Sequence, residues 1–383
     1  IFRPKIAEFS VNFQMEEQEP TEPTAINEET RAMEEVINAF FYYGRYGAEK
    51  MVSMVEQMRK IPNDHQLLLG GQFKEHIRNM KEKVEHNSQI LRMIANSCAG
   101  MFGEDHLRAM RIHQTRRPSS DFMSKVFSTM RQICREWSSE GQPEREATFK
   151  PIIDQLTELY PPETHPRHNV RILVPGCGLG RLAYDLMEQG FTVQGNEFAF
   201  FMLFTSFFII NNCKQENQFT IYPFVFDKNN SWNYSDQLRP VTFPDKAPVS
   251  KKDPNHRRAS FSICAGDFLE VVKDTTFDVI VTAWFIDTAH NVLEYIDAIY
   301  STLEPGGVWI NVGPLTWHFS DTPDEASIEL PYSVIMEMIR KKGFQVVEER
   351  VIDSKYTVNR RAMQFNQFAC AYFYARKPEK TDE

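Results

Sequence analysis

Apolar residues recur along this chain with two different periods, and the change falls near residue 165. Before it the spacing is three and four, which places the apolar side chains on one face of a helix. Asn27 to Lys60 reads as a helix, with Asn27 as a candidate cap and a stripe of Met33, Val36, Ile37, Phe40 and Phe41. Pro62 ends it. Gln72 to Cys98 repeats the pattern through Ile77, Met80, Val84, Ile90, Leu91 and Ile94, so the two segments predict a helical hairpin packed on the rest of the chain. Arg116 to Ser120 reads as a loop. Asp121 to Trp137 is helical, with Met123, Val126 and Met130 as its buried stripe, and Phe149 to Tyr160 follows the linker Ser138 to Gly141.

After residue 165 short apolar runs alternate with helical stretches. Predicted strands are Ile172 to Val174, Phe191 to Gly195, Ser262 to Ala265, Phe277 to Ala283, Val308 to Val312, Phe344 to Ile352 and Phe368 to Ala375. Helices are expected at Leu179 to Glu188, Phe198 to Asn212, Val292 to Leu303 and within Ser327 to Lys342, where Gly343 supplies the stop. Such alternation implies a mainly parallel sheet, and the closing helix, strand, loop, strand leaves room for a hairpin at one edge. Residues 213–259 are long, polar and irregular, with the character of a lid or binding loop. The expected organisation is a flexible arm at 1–26, a helical region at 27–165 and an α/β domain at 166–383 with the insertion 213–259.

The α/β region opens with strand, glycine turn, helix, strand and acid, running from Arg171 to Glu197. Gly176, Gly178 and Gly180 make the turn, and Glu197 lies 197 − 176 = 21 residues beyond its first glycine. That is close to the roughly 20 expected of a ribose-binding carboxylate. Arg181 stands where a dinucleotide fingerprint places Gly or Ala, which argues against a pyrophosphate and for an adenosyl ligand without phosphates.

Composition narrows the class. The net charge is −9 over 383 residues, which disfavours non-specific binding to nucleic acid or anionic membranes. The most apolar run, Phe198 to Ile210, is too short to span a bilayer and reads as a core helix. Six cysteines are scattered without CxxC pairs, as expected for reduced thiols in a cytosolic protein without a zinc site. The use of 30 phenylalanines suits a deep pocket with aromatic walls.

In open α/β sheets ligands lie beyond the carboxyl ends of the strands, at the switch in strand order. That rule collects the glycine turn, Glu197, Gly266 to Phe268, Trp284 to Asn291 and Gly313 to His318. Glu197 suits the ribose hydroxyls and Asp267 an adenine amino group, with Phe268 against the ring. Asp287 and His318 fall where a second substrate would approach. Asp267 capping a turn, Asp287 capping a helix from Thr288, and a structural His318 are the alternatives. His290 ranks below His318. Gln132 and Arg135 share a helix face, and spacing alone favours a solvated pair over contact with a ligand carboxylate.

The segments PGCGLGRLAYDL, QGNEFAFFMLFTSFFI, AGDF, FIDTAHNVLEYIDAI, LEPGGVWINVGPL, ELPY and YTVN, with INAFFYYGRYG and STMRQICREWSSEG before them, resemble the carnosine N-methyltransferase family. The resemblance covers nearly all of the chain beyond its opening arm. It implies a Rossmann-like class I methyltransferase sheet, mostly parallel with the last strand antiparallel, behind a helical N-terminal extension. It further implies transfer of a methyl group from S-adenosylmethionine to the imidazole of carnosine, β-alanyl-histidine, giving anserine and S-adenosylhomocysteine without a metal. Carried onto matching positions, Gln132, Arg135, Gly176, Gly178, Glu197, Asp267, Phe268 and Ala283 would hold the cofactor. Asp287, His318 and Tyr356 would meet the dipeptide. The family setting is cytoplasmic, with the nucleus and a homodimer both open. One departure stands out: a tyrosine-rich run before the final strand is here Gln364 to Phe368, so a phenolic hydroxyl is absent at Phe368.

For such a reaction the imidazole must be neutral, and a carboxylate accepting N–H from its second nitrogen would select the reactive tautomer. Asp287 is the candidate, with His318 positioning the dipeptide or helping remove the proton. Competing expectations are a methyltransferase acting on another histidine-containing peptide or protein, and a cofactor-binding protein without turnover. A nicotinamide dehydrogenase is disfavoured by the altered glycine pattern.

Overall fold

The structure, a computed structural model, describes residues 13–14, 23–98, 116–248, 259–273, 275–323 and 325–380. The N-terminal region is helical: α1 (Pro23–Arg59), α2 (Asn63–Leu69), α3 (Gln72–Ser97), α4 (Ser120–Trp137) and α5 (Gln142–Leu159). The expected stripes are the buried ones, from Met33, Val36, Ile37 and Phe40 to Met123, Val126 and Met130, while Phe41 and Ile77 are half-buried. Asn27 does not cap α1, which begins at Pro23 and contains it. Ser119 does cap α4, accepting from the Phe122 amide at 3.2 Å. The expected arm lies largely outside the described residues.

Among the described residues eight strands form the main sheet, in the order β1-β6-β3-β2-β7-β8-β10-β9. They are β1 (Phe13–Gln14), β2 (Arg171–Pro175), β3 (Thr192–Glu197), β6 (Ser260–Ala265), β7 (Phe277–Ala283), β8 (Leu303–Gly313), β9 (Gln345–Lys355) and β10 (Gln367–Arg376). β2 pairs in parallel with β3 and β7, β3 with β6, and β7 with β8; only β10 runs against its neighbours β8 and β9. The sheet is thus mostly parallel with an antiparallel last strand, as expected. Connecting helices are α6 (Arg181–Glu188), α7 (Phe200–Asn212), α9 (Phe268–Val271), α10 (Val292–Thr302) and α11 (Tyr332–Lys342).

Between α7 and β6 the described part of residues 213–259 is not a loose lid. It holds an antiparallel pair, β4 (Phe219–Ile221) with β5 (Val241–Phe243), and the short α8 (Tyr234–Gln237). Ile221, Phe224, Val225, Val241 and Phe243 are buried. Asn87 of α3 fastens it: its side-chain amide donates to the Tyr222 carbonyl at 2.9 Å and its Oδ1 accepts from the Tyr222 amide at 2.8 Å. Three-residue strands give too little alternation to register as strands in a sequence.

The helical region is part of the same core. Phe40 of α1 meets Phe201 of α7 edge-on, with ring centroids 5.4 Å apart. Among the described residues no helix is long and apolar enough to cross a membrane, and the six cysteines are buried and not joined in disulfides.

Candidate active site

Strand order reverses on either side of β2, whose neighbours are β3 and β7. A cleft of about 470 Å³ opens beyond the carboxyl ends there. Its floor is the turn after β2. Gly176 and Gly178 adopt φ of +60° and +57°, a region that disfavours side chains. A Cβ at Gly176 would stand 2.4 Å from the Phe285 ring, and one at Gly178 2.7 Å from the Glu136 carboxylate. Glu197, at the end of β3, accepts from the Gly178 amide through Oε2 and from the Phe198 and Ala199 amides through Oε1, all at 2.9 Å. Burial pushes its carboxyl up to about 7, against the lowering effect of those three N–H groups.

One wall comes from α4. Its last turns carry Gln132, Arg135 and Glu136 into the cleft. Glu136 reaches the glycine turn: Oε1 accepts from the Leu179 amide at 3.2 Å and from Gln132 Nε2 at 2.5 Å, and Oε2 accepts from the Arg181 amide at 3.1 Å. It thereby satisfies donors that open α6, which no side chain of its own turn caps. Arg135 is only 4% exposed. Its guanidinium lies 4.6 Å from the Tyr356 ring centre and 5.1 Å from that of Phe149, and its Nε is 3.6 Å from a Glu144 carboxylate oxygen. Nε and Nη2 nevertheless have no hydrogen-bond acceptor among the described residues.

The far wall follows β6, β7 and β8. Asp267, Phe268 and Ala283 line it, as do His290, His318 and Tyr356. Asp267 also caps α9, accepting from the Leu269 amide at 2.8 Å, so the capping alternative and cleft lining coexist. Burial pushes the Tyr356 phenol above its ordinary value, which keeps it a protonated donor. His290 stacks on Phe319 at 3.6 Å, and its Nδ1 meets the Ala326 carbonyl at 2.8 Å. Facing a carbonyl, that nitrogen carries the proton.

Asp287 alone among the expected positions does not line the cleft. It is 2% exposed and sits in a turn rather than capping a helix; Asn291 caps α10. Its Oδ2 accepts from the Thr316 amide at 2.8 Å and the Thr316 hydroxyl at 2.7 Å, while its main-chain oxygen accepts from the His318 amide at 3.0 Å. It holds the Thr316 to His318 turn in place from beneath.

These residues fit an adenosyl amino acid. The bare glycine backbone admits a ligand, and Glu197 ends β3 where a ribose-binding acid is expected. The buried Arg135 has two N–H groups, Nε and Nη2, without a hydrogen-bond acceptor among the described residues, a match for a carboxylate. A family model described as carnosine N-methyltransferase matches residues 112–379. The chain belongs to the carnosine N-methyltransferase family. A carnosine N-methyltransferase of Rattus norvegicus is 42% identical over 371 residues, spanning 94% of this chain and 90% of its own. One from Schizosaccharomyces pombe is 37% identical over 353 residues, spanning 88% and 93%. The matched stretch begins before α4, so the carnosine N-methyltransferase family pattern includes the helix that builds one wall of the cleft.

Sequence reasoning missed two residues that build this site and left a third without a role. Glu136 is one residue from Arg135 and i+4 from Gln132, a spacing that could have placed it on the same face as Gln132. Glu144, which accepts from the Thr357 and Val358 amides at 2.8 and 3.2 Å and so steadies the loop bearing Tyr356, gave no signal, because its partners lie more than 200 residues away. Trp284 opens one of the segments expected at the cleft, but nothing in its sequence setting marks it for a role.

Proposed function

We propose that this chain, an S-adenosylmethionine-dependent N-methyltransferase by family, methylates carnosine at the imidazole nitrogen nearer the side chain, giving anserine. Membership of the carnosine N-methyltransferase family over nearly the whole chain carries this reading. When bound, S-adenosylmethionine supplies an electrophilic methyl group on a sulfonium. The chain's own residues then have to align, hold and exclude water, so proximity supplies much of the acceleration. Arg135 would pair with the cofactor carboxylate, Glu197 would accept from the ribose hydroxyls, and Asp267 with Phe268 would take the adenine. Gln132, Gly176, Gly178 and Ala283 complete that contact surface.

On the substrate side Tyr356 and His318 would orient the dipeptide. Asp287 would accept N–H from the second imidazole nitrogen through Oδ1, leaving the attacked nitrogen with its lone pair and stabilising the imidazolium as charge develops. Because Asp287 is buried behind the cleft lining, the turn that bears it would have to shift for Oδ1 to reach the ring, with Oδ2 remaining on Thr316.

The test is mass spectrometry of purified protein with S-adenosylmethionine and carnosine, with NMR to place the methyl group. A singly methylated product on the nitrogen nearer the side chain supports the reading. Binding of S-adenosylhomocysteine without product from carnosine, but with product from another histidine peptide or a histidine-containing protein, would replace the substrate and keep the chemistry.

A further inference from the structure

Trp284 carries two unfavourable features. Its backbone sits at φ +58°, the left-handed region, where a bulky side chain is a genuine outlier. The strain is held by neighbours: its amide donates to the Val312 carbonyl at 2.8 Å, and a Cβ at Gly313 would lie 3.2 Å from its Cα. Second, its indole Nε1 is shut away from solvent and has no acceptor among the described residues. Both features fall on a residue that lines the cleft. Strain and an unmet donor at one position of a site wall point to a ligand that uses it.

The surroundings narrow what that ligand group is. The indole lies 4.5 Å from the Tyr356 ring and 5.2 Å, edge-on, from Phe368. The Phe368 side chain, which packs against the indole, has no polar atom. Beside the Tyr356 phenol, the donor this wall offers is the indole N–H, which has no acceptor among the described residues. An N–H can serve only an acceptor, and the dipeptide offers its amide carbonyl and its carboxylate. The attacked imidazole nitrogen is excluded, because its lone pair is needed for the reaction.

We propose that Trp284 is a substrate-binding residue whose indole N–H donates to an acceptor oxygen on the peptide portion of the histidine dipeptide, the role a phenol at position 368 would otherwise fill. This rests on the methyltransferase reading above. It makes position 284 a determinant of which imidazole compounds are accepted: those with a backbone oxygen gain from it, and imidazole alone does not.

The experiment compares the wild-type chain with Trp284→Phe, Phe368→Tyr and the double variant. Carnosine binding is measured by calorimetry in saturating S-adenosylhomocysteine, alongside KM and kcat for carnosine. Trp284→Phe keeps the ring and removes the donor, and is expected to weaken carnosine binding and raise KM about tenfold, the scale of one hydrogen bond. S-adenosylhomocysteine affinity should stay unchanged, and adding Phe368→Tyr should restore most of the loss. Unchanged carnosine affinity in Trp284→Phe overturns the proposal. So does an equal loss of S-adenosylhomocysteine affinity, which would assign the indole to the cofactor, or a double variant no better than the single one. A wild-type chain that neither binds nor methylates carnosine would instead overturn the underlying reading, and this proposal with it.

Discussion

The carboxylate of Glu136 and the backbone N–H of Arg181 meet at 3.1 Å although 45 positions separate them. This contact ties the end of α4 to the start of α6, with the glycine turn between them. Glu136→Ala would leave the Leu179 and Arg181 amides buried and unpaired, at about 1–3 kcal/mol each. Urea denaturation should show a loss in that range, and S-adenosylhomocysteine affinity should fall with it. A variant of native stability and affinity would show that the turn stands without this prop.

Arg135 offers a sharper separation. Arg135→Lys keeps a positive charge but loses the planar fork. S-adenosylhomocysteine, which carries a carboxylate, should then bind about tenfold or more weakly, on the scale of a hydrogen bond to a charged group. Methylthioadenosine, which lacks one, should bind as it does to the wild type. Equal losses for both ligands would mean that Arg135 shapes the wall rather than pairing with an anion.

Cofactor binding should depend on pH through Glu197. Burial places its carboxyl at about 7 in the ligand-free chain, so near neutrality it is part protonated. If both ribose hydroxyls donate to it, the bound form is the carboxylate and binding releases a proton. Affinity for S-adenosylhomocysteine should thus rise about tenfold between roughly pH 6 and 8. Calorimetry in buffers of differing ionisation heat would detect the proton, and a pH-independent affinity would contradict the assignment. The same shift acts oppositely on the fold. A folded-state value above the ordinary 4.5 contributes stability that is fully present below 4.5 and lost as pH rises through about 7.

Asp287→Asn should lower turnover on carnosine about tenfold to a hundredfold, the range for one charge-assisted hydrogen bond, with S-adenosylhomocysteine binding retained. Thr316→Val removes one of the two groups that fix the carboxylate. Its effect should be smaller and in the same direction. If Asp287→Asn lost stability and cofactor binding together, the residue would be a support for the Thr316 to His318 turn and nothing more.

Most of the fold was legible because its signals are local. The stripe of Met123, Val126 and Met130 and the run Phe277 to Ala283 each report their own burial, and both elements fall where the pattern places them. What stayed hidden depends on distant partners. Helical spacing cannot tell a solvated Arg135 from one enclosed by Phe149 and Tyr356, since that enclosure is made by α5 and by the loop before β10. Asp287 looked like a helix cap or a cleft carboxylate; its bond to Thr316 becomes visible only once the ends of β7 and β8 lie side by side. Val308 to Val312 was drawn short because Pro305 to Gly307 reads as a turn, whereas pairing with β7 keeps β8 extended from Leu303.

The wall supplied by α4 faces the floor supplied by the glycine turn, and an occupant of the cleft would touch both. Such a molecule is a strut between distant stretches of one polypeptide. Its presence at about a hundred times its dissociation constant would add about 2.7 kcal/mol to the folded state. Protease digestion should then spare the junction between helices and sheet when S-adenosylhomocysteine is present and cut there sooner when it is withdrawn. The lifetime of the protein in a cell would, on these terms, follow the supply of its methyl donor.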